Sequence, residues 1–151
     1  MENILNKKIM AFVPEYVENR GNCTTIYTKE NEPIILDRHI KTFIKNICKY
    51  YMIDLTATRK RYSKLVISPN MMPIPLSKHD IFIPFKTRVP LAKNDGSLGY
   101  VNMRYIKNLS DGDGVNVKMN MNKRGCGQKF GLFLCNKTKF LSILIRAKST
   151  Q

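Results

Sequence analysis

Three features of this 151-residue chain predict an α+β fold, mostly short antiparallel strands with an amphipathic helix near residues 38–51 and a C-terminal helix. Runs of Thr, Ile, Val and Tyr recur between turn residues, as pleated strands require. One stretch repeats its apolar residues at helical spacing. Pro69, Pro73, Pro75, Pro84 and Pro90 bar a continuous helix through the middle. Strands in runs with helices inserted, rather than strict alternation, point to α+β instead of a parallel α/β sheet.

Taken in order, residues 8–16, 23–29 and 34–36 read as strands, with turns at 18–22 and 30–33. Asp37 is the expected N-cap of the helix that follows. Ile40, Phe43, Ile44, Ile47 and Tyr51 then fall on one face at about 100° per residue, while Arg38, Lys41, Lys45 and Lys49 form a second stripe roughly opposite. Residues 52–64 read as a short second helix or a loop. The proline-rich segments 71–76 and 81–85 are expected as edge strands or extended chain. Asn94-Asp95-Gly96 signals a turn into a strand from Leu98 to about Leu109, and residues 111–114 turn again into 115–121, where apolar and polar residues alternate. Residues 130–146 suit a helix or a buried strand, with the helix preferred.

The length fits one domain with one core. Charge is sorted along the chain: residues 1–37 carry four Lys/Arg against six Asp/Glu, and residues 38–151 carry 22 against five. The folded body is therefore expected to be strongly basic and to favour a polyanion. The opening residues lack a signal-peptide pattern and the apolar runs are too short to span a bilayer, so a soluble, cytoplasmic protein is expected, without a membrane partner. Cys23, Cys48, Cys126 and Cys135 form no close pair, and His39 and His79 supply no metal-ligand spacing, so small buried thiols are expected and no metal or cofactor.

The densest signal runs from Arg38 to Lys64, where eight basic residues, Arg38, Lys41, Lys45, Lys49, Arg59, Lys60, Arg61 and Lys64, meet one acid, Asp54. A helix with a cationic stripe can lie along phosphates, and a compact Arg-Lys-Arg can enter a groove where the field is concentrated. Enzyme signals are poor. The scattered acids do not resemble a nuclease metal site, and Asp111-Gly-Asp113-Gly lacks the later ligands of a calcium loop. No nucleophile is paired with a base, and a non-enzymatic protein is expected.

The stretch from Ile44 through Cys48-Lys49-Tyr50-Tyr51, the cluster Arg59-Lys60-Arg61, then Pro73-Ile74-Pro75-Leu76, then Ile81-Phe82-Ile83-Pro84-Phe85, then Tyr100 to Ile106, resembles in order and spacing the ComK family of competence transcription factors. The resemblance covers roughly residues 34–109, as a divergent and short member. Met52 and Ala57 stand where the family usually has glycine, Phe85 where it has Thr, and Tyr100 where it has Trp. The resemblance implies one DNA-binding domain over residues 1–151 that recognises A/T-rich boxes of double-stranded DNA largely through the minor groove. It also implies a homo-oligomer on DNA, activation of DNA-uptake genes through RNA polymerase, nucleoid association, and delivery to a protease by an adaptor. On this reading Arg59, Lys60 and Arg61 enter the groove, Arg38, Lys41, Lys45 and Lys49 hold phosphates, and Lys64 adds nonspecific attraction. A nonspecific binder of DNA or RNA without regulatory activity is the main alternative. An anionic-membrane protein or a small basic nuclease is a further one.

Overall fold

The computed structural model describes residues 1–29, 32–65, 70–111 and 117–121. Its centre is a six-stranded, wholly antiparallel sheet in the order β3-β2-β1-β6-β5-β4. After the short α1 (Glu2–Leu5), the strands β1 (Ile9–Val17), β2 (Gly21–Thr28) and β3 (Ile34–Leu36) form a meander. α2 (Ile40–Tyr50) and α3 (Leu55–Tyr62) follow, and then β4 (Ile74–Pro75), β5 (Ile81–Lys86) and β6 (Leu98–Asn102) complete the sheet. β7 (Ile106–Asp111) and β8 (Val117–Met121) make a separate ribbon. The α+β expectation is met. The expected C-terminal helix lies outside the described residues, as do Cys126 and Cys135.

Pleating sorts the core onto two faces. Ile9, Phe12, Ile26, Phe82 and Tyr100 project to one side, where α2 lays Ile40, Phe43, Ile44, Ile47 and Cys48 over them. Phe12 sits at the centre of that layer, with ring centroids 5.0 Å from Phe43, 5.2 Å from Phe82 and 5.3 Å from Tyr100. Met10, Ala11, Val13, Ile83, Phe85 and Val101 project to the other side, with Met71 and Met103 against them. Met10 and Ala11 share a face because the β1–β2 register shifts between Ile9 and Ala11, inserting one residue that the pleat cannot alternate. Gly99 is required by contact: a Cβ there would lie 2.7 Å from Thr87 Cγ2 and 2.8 Å from Val13 Cγ1.

The prolines fit because the sheet is incomplete beside them. Thr87 N donates to Ser97 O, which sets the phase of the β5–β6 ladder and turns the amide position of Pro84 away from β6. β4 pairs only opposite Ile81 and Phe82, so no ladder bond is lost at Pro84. Pro14 shares the phase of Phe12, whose pairing is with Tyr100, and β6 pairs β1 only at Ala11 and Phe12. β5 is thus an interior strand with a locally open side, not an edge strand throughout.

Two further expectations are corrected. Asp37 does not cap α2; His39 occupies that position without a side-chain capping bond, while Asp37 pairs with Arg20 Nε at 2.5 Å and accepts from Cys23 Sγ at 3.5 Å. The strand expected from Leu98 to about Leu109 is broken at Met103–Tyr105, a 3-10 turn that carries the chain from the main sheet into the ribbon. Buried Asn102 causes the break: its side chain accepts from Arg104 N while its Nδ2 donates to Asp80 Oδ1 at 2.8 Å.

Candidate nucleic-acid interface

α2 is amphipathic in fact as in pattern. Ile40, Phe43, Ile44, Ile47 and Cys48 are buried, and Lys41, Lys45 and Lys49 are exposed at i, i+4 and i+8, a single row along about 12 Å of helix. Arg38, two residues before the helix, is exposed as well. Tyr51, expected on the core face, instead caps the C-terminus and is 37% exposed; Cys48 takes its place against the sheet. Burial raises the Cys48 thiol above its usual range, against the pull of the nearby Arg59 charge.

The connection to α3 is a Schellman turn. Ile53 N donates to Cys48 O at 2.8 Å and Met52 N to Lys49 O at 3.1 Å, which consumes carbonyls the helix end would leave open. Met52 carries the left-handed conformation this turn demands, φ 56°, and is 94% exposed. Ile53 turns back onto the helix-side core. Asp54 then caps α3, accepting from Ala57 N at 3.0 Å. The one acid between Arg38 and Lys64 is thereby spent on a backbone amide.

No side chain of α3 is buried, and Arg59, Lys60 and Arg61 occupy its last turn, where the helix dipole favours cations. The three differ in freedom. Burial raises the Tyr100 phenol, and the Arg59 guanidinium opposes that shift through its charge and a hydrogen bond to the phenol. Arg59 therefore leans toward the sheet, while Arg61, about 200° further round the helix, lies roughly opposite it with its guanidinium 6.0 Å from the Tyr62 ring. Lys64 is exposed in the 3-10 turn Ser63–Leu65. All eight basic residues singled out in the sequence are exposed, Arg38 just before α2 and the other seven on three consecutive elements.

Sequence reasoning did not find a polar lock beside the N-terminus of α2. Tyr16 Oη donates to Asp95 Oδ2 at 2.5 Å and accepts from Leu91 N at 2.7 Å, and Arg88 stacks 4.0 Å from the Tyr16 ring centroid. Arg88 also donates to Asn22 Oδ1, Gly96 O and Asp95 O, although its Nη1 is buried without a partner among the described residues. Asn22 Nδ2 is 3.3 Å from His39 Nδ1, tying the lock to the start of α2. The Tyr16 hydroxyl holds the Asp95 carboxyl below its usual range, helped by Ala92 N and Arg88. The Asn94-Asp95-Gly96 signal marked the turn, and nothing local marked its partners.

A cleft of about 310 Å3 opens between the α1–β1 connection and the C-terminal end of α2, where Asp80 is satisfied by Asn102 and Arg104, and Tyr50 donates to Asn6. Among the described residues no three His, Cys, Asp or Glu side chains gather as metal ligands, and no helix is long and apolar enough to cross a membrane.

A family model described as ComK protein matches residues 1–124, most of the chain. The chain belongs to the ComK family. No curated protein and no solved structure matches it. The family match extends past the 34–109 stretch on which the sequence resemblance rested, taking in the β1–β3 meander and both strands of the β7–β8 ribbon. ComK membership makes this a competence-related transcription factor in general terms. It also sets two of the departures in physical context. Tyr100, where the family usually has Trp, is stacked on Phe12 in the helix-side core, and Phe85, where it has Thr, is wholly buried on the opposite face.

Proposed function

We propose that this ComK-family chain is a non-enzymatic regulator that binds double-stranded A/T-rich boxes, largely through the minor groove, and activates DNA-uptake genes. The observation that carries the reading is the exposed cationic surface running from Arg38 to Lys64, whose one carboxylate is consumed as a helix cap. The row Lys41, Lys45 and Lys49 suits phosphates, which are evenly spaced and carry no sequence information; Arg38 and Lys64 extend it. Lys60 and Arg61, with Arg59 anchored behind them, suit a narrow A-tract groove, where the negative potential is deepest. As one domain over residues 1–151 it acts as a homo-oligomer at the nucleoid, in contact with RNA polymerase and subject to an adaptor and protease.

The test is fluorescence-anisotropy titration of two duplexes, one with paired A- and T-tracts and one scrambled to G/C-rich, across a salt series. Preference for the A/T duplex that persists near physiological salt is expected. Equal affinity for both that vanishes with salt would leave a nonspecific nucleic-acid binder.

A further inference from the structure

The β5–β6 loop, residues 87–97, exposes apolar side chains on a frame that holds them there. Val89 is 71% exposed and Leu91 83%, on either side of Pro90. Apolar side chains on a soft loop fold back onto the surface. Here the backbone is pinned on both sides of the tip: Arg88 is bonded to Asn22, Gly96 and the Asp95 carbonyl, and Leu91 N donates to Tyr16 Oη. Ala92 and Asp95 close the turn: Ala92 N donates to Asp95 Oδ2 at 3.2 Å and Asp95 N donates to Ala92 O at 3.1 Å. Pro90 removes further freedom at the apex.

Cations dominate the charge around the tip. Asp95 is held by Tyr16 and Ala92, and every other ionisable group from residue 86 to 97 is basic: Lys86, Arg88 and Lys93. The base of the loop adjoins the N-terminus of α2, through Asn22 and His39 and through Gly96 beside Ile40, and so lies next to Arg38 and Lys41. A rigid apolar projection among cations matches duplex DNA, whose stacked bases are apolar between two rows of phosphate. With its one carboxylate engaged by Tyr16 and Ala92, the loop offers its cations to a polyanion on both sides of the apolar pair.

We propose that the β5–β6 loop is a second DNA contact in which Val89 and Leu91 wedge between adjacent base pairs while Lys86 and Lys93 hold the flanking phosphates. This deepens the reading above and rests on duplex binding. The wedge would select steps that unstack easily, adding specificity where no hydrogen bond to a base is made.

The full chain is titrated against an A/T-tract duplex with 2-aminopurine at a TpA step, read by anisotropy for binding and by 2-aminopurine emission for unstacking. The wild-type protein is expected to raise the emission on binding. Val89→Ser/Leu91→Ser should retain the salt slope and the thermal midpoint, since both side chains are exposed, and lose at least about fivefold of the emission rise. Tyr16→Phe, which keeps the tip and removes the hydroxyl that pins it, should reduce the rise in part. Wild-type binding without any emission change overturns the wedge and leaves the duplex-binding reading standing, whereas absence of binding overturns both. An equal rise from the double variant, or a change in its sedimentation with emission unaltered in both proteins, overturns the wedge in favour of another or a protein contact.

Discussion

α2 and α3 carry similar charge and are built in opposite ways. α2 has five buried residues over the sheet and a row of lysines on its far side, so its cations stand on a helix anchored in the core. α3 buries nothing; it is held by the Asp54 cap, partial packing of Leu55 and the reach of Arg59 to Tyr100. A cationic surface can thus combine a fixed rail with a more lightly tethered cluster. The core determines where the lysines lie, and a few polar bonds determine where Lys60 and Arg61 lie.

The contrast breaks most visibly at Phe43. Phe43→Ala removes a fully buried ring packed edge-on to Phe12 and should cost about 3–5 kcal/mol, read as a lowered midpoint in urea unfolding. No single substitution on α3 should approach that loss, and one that did would mean α3 is part of the core. The two helices should also separate in DNA binding. Lys60→Ala/Arg61→Ala is expected to weaken A/T-box binding by more than about 1 kcal/mol with folding intact, and to weaken G/C duplexes less. Lys45→Ala should weaken all duplexes alike and flatten the salt slope by about one unit. Arg59 is left out of the first variant because its loss also strips the partner of Tyr100.

Smaller effects sharpen the picture of the tether. Asp54→Ala should cost about 1 kcal/mol and lower amide protection in α3 before α2, measured by hydrogen exchange. Met52→Gly should stabilise the protein by about 0.5–1 kcal/mol in the same urea assay, because the side chain is exposed and the left-handed turn suits glycine. A destabilisation there would show that Met52 packs on something in the folded state.

Much of the fold was legible because the decisive signals were local. The period of Ile40, Phe43, Ile44 and Ile47 located α2, and β3 was found at its observed limits, since three β-favouring residues stood between clear turns. Asp37 misled because Asp at that position is a good cap in isolation, whereas Arg20 from the neighbouring turn competes for the same carboxylate. The interruption at Met103–Tyr105 was hidden because Asn102 acts through Asp80, 22 residues earlier. The exposed basic residues were readable from charge alone. The freedom of each was not, since only the fold brings Arg59 to Tyr100, or Arg88 to Tyr16 and Asn22.

Pairing Ala11 with Val101 joins residues 90 apart in the chain, and everything between them is synthesised while β1 has no neighbour on that side. At ordinary translation rates that exposure lasts on the order of ten seconds. Pro14 lies on the waiting edge in phase with Phe12, and its missing N–H denies an intruding strand one rung of the ladder. The residue that fits the finished sheet because β6 stops short of it also guards the nascent chain against pairing with its neighbours on a polysome.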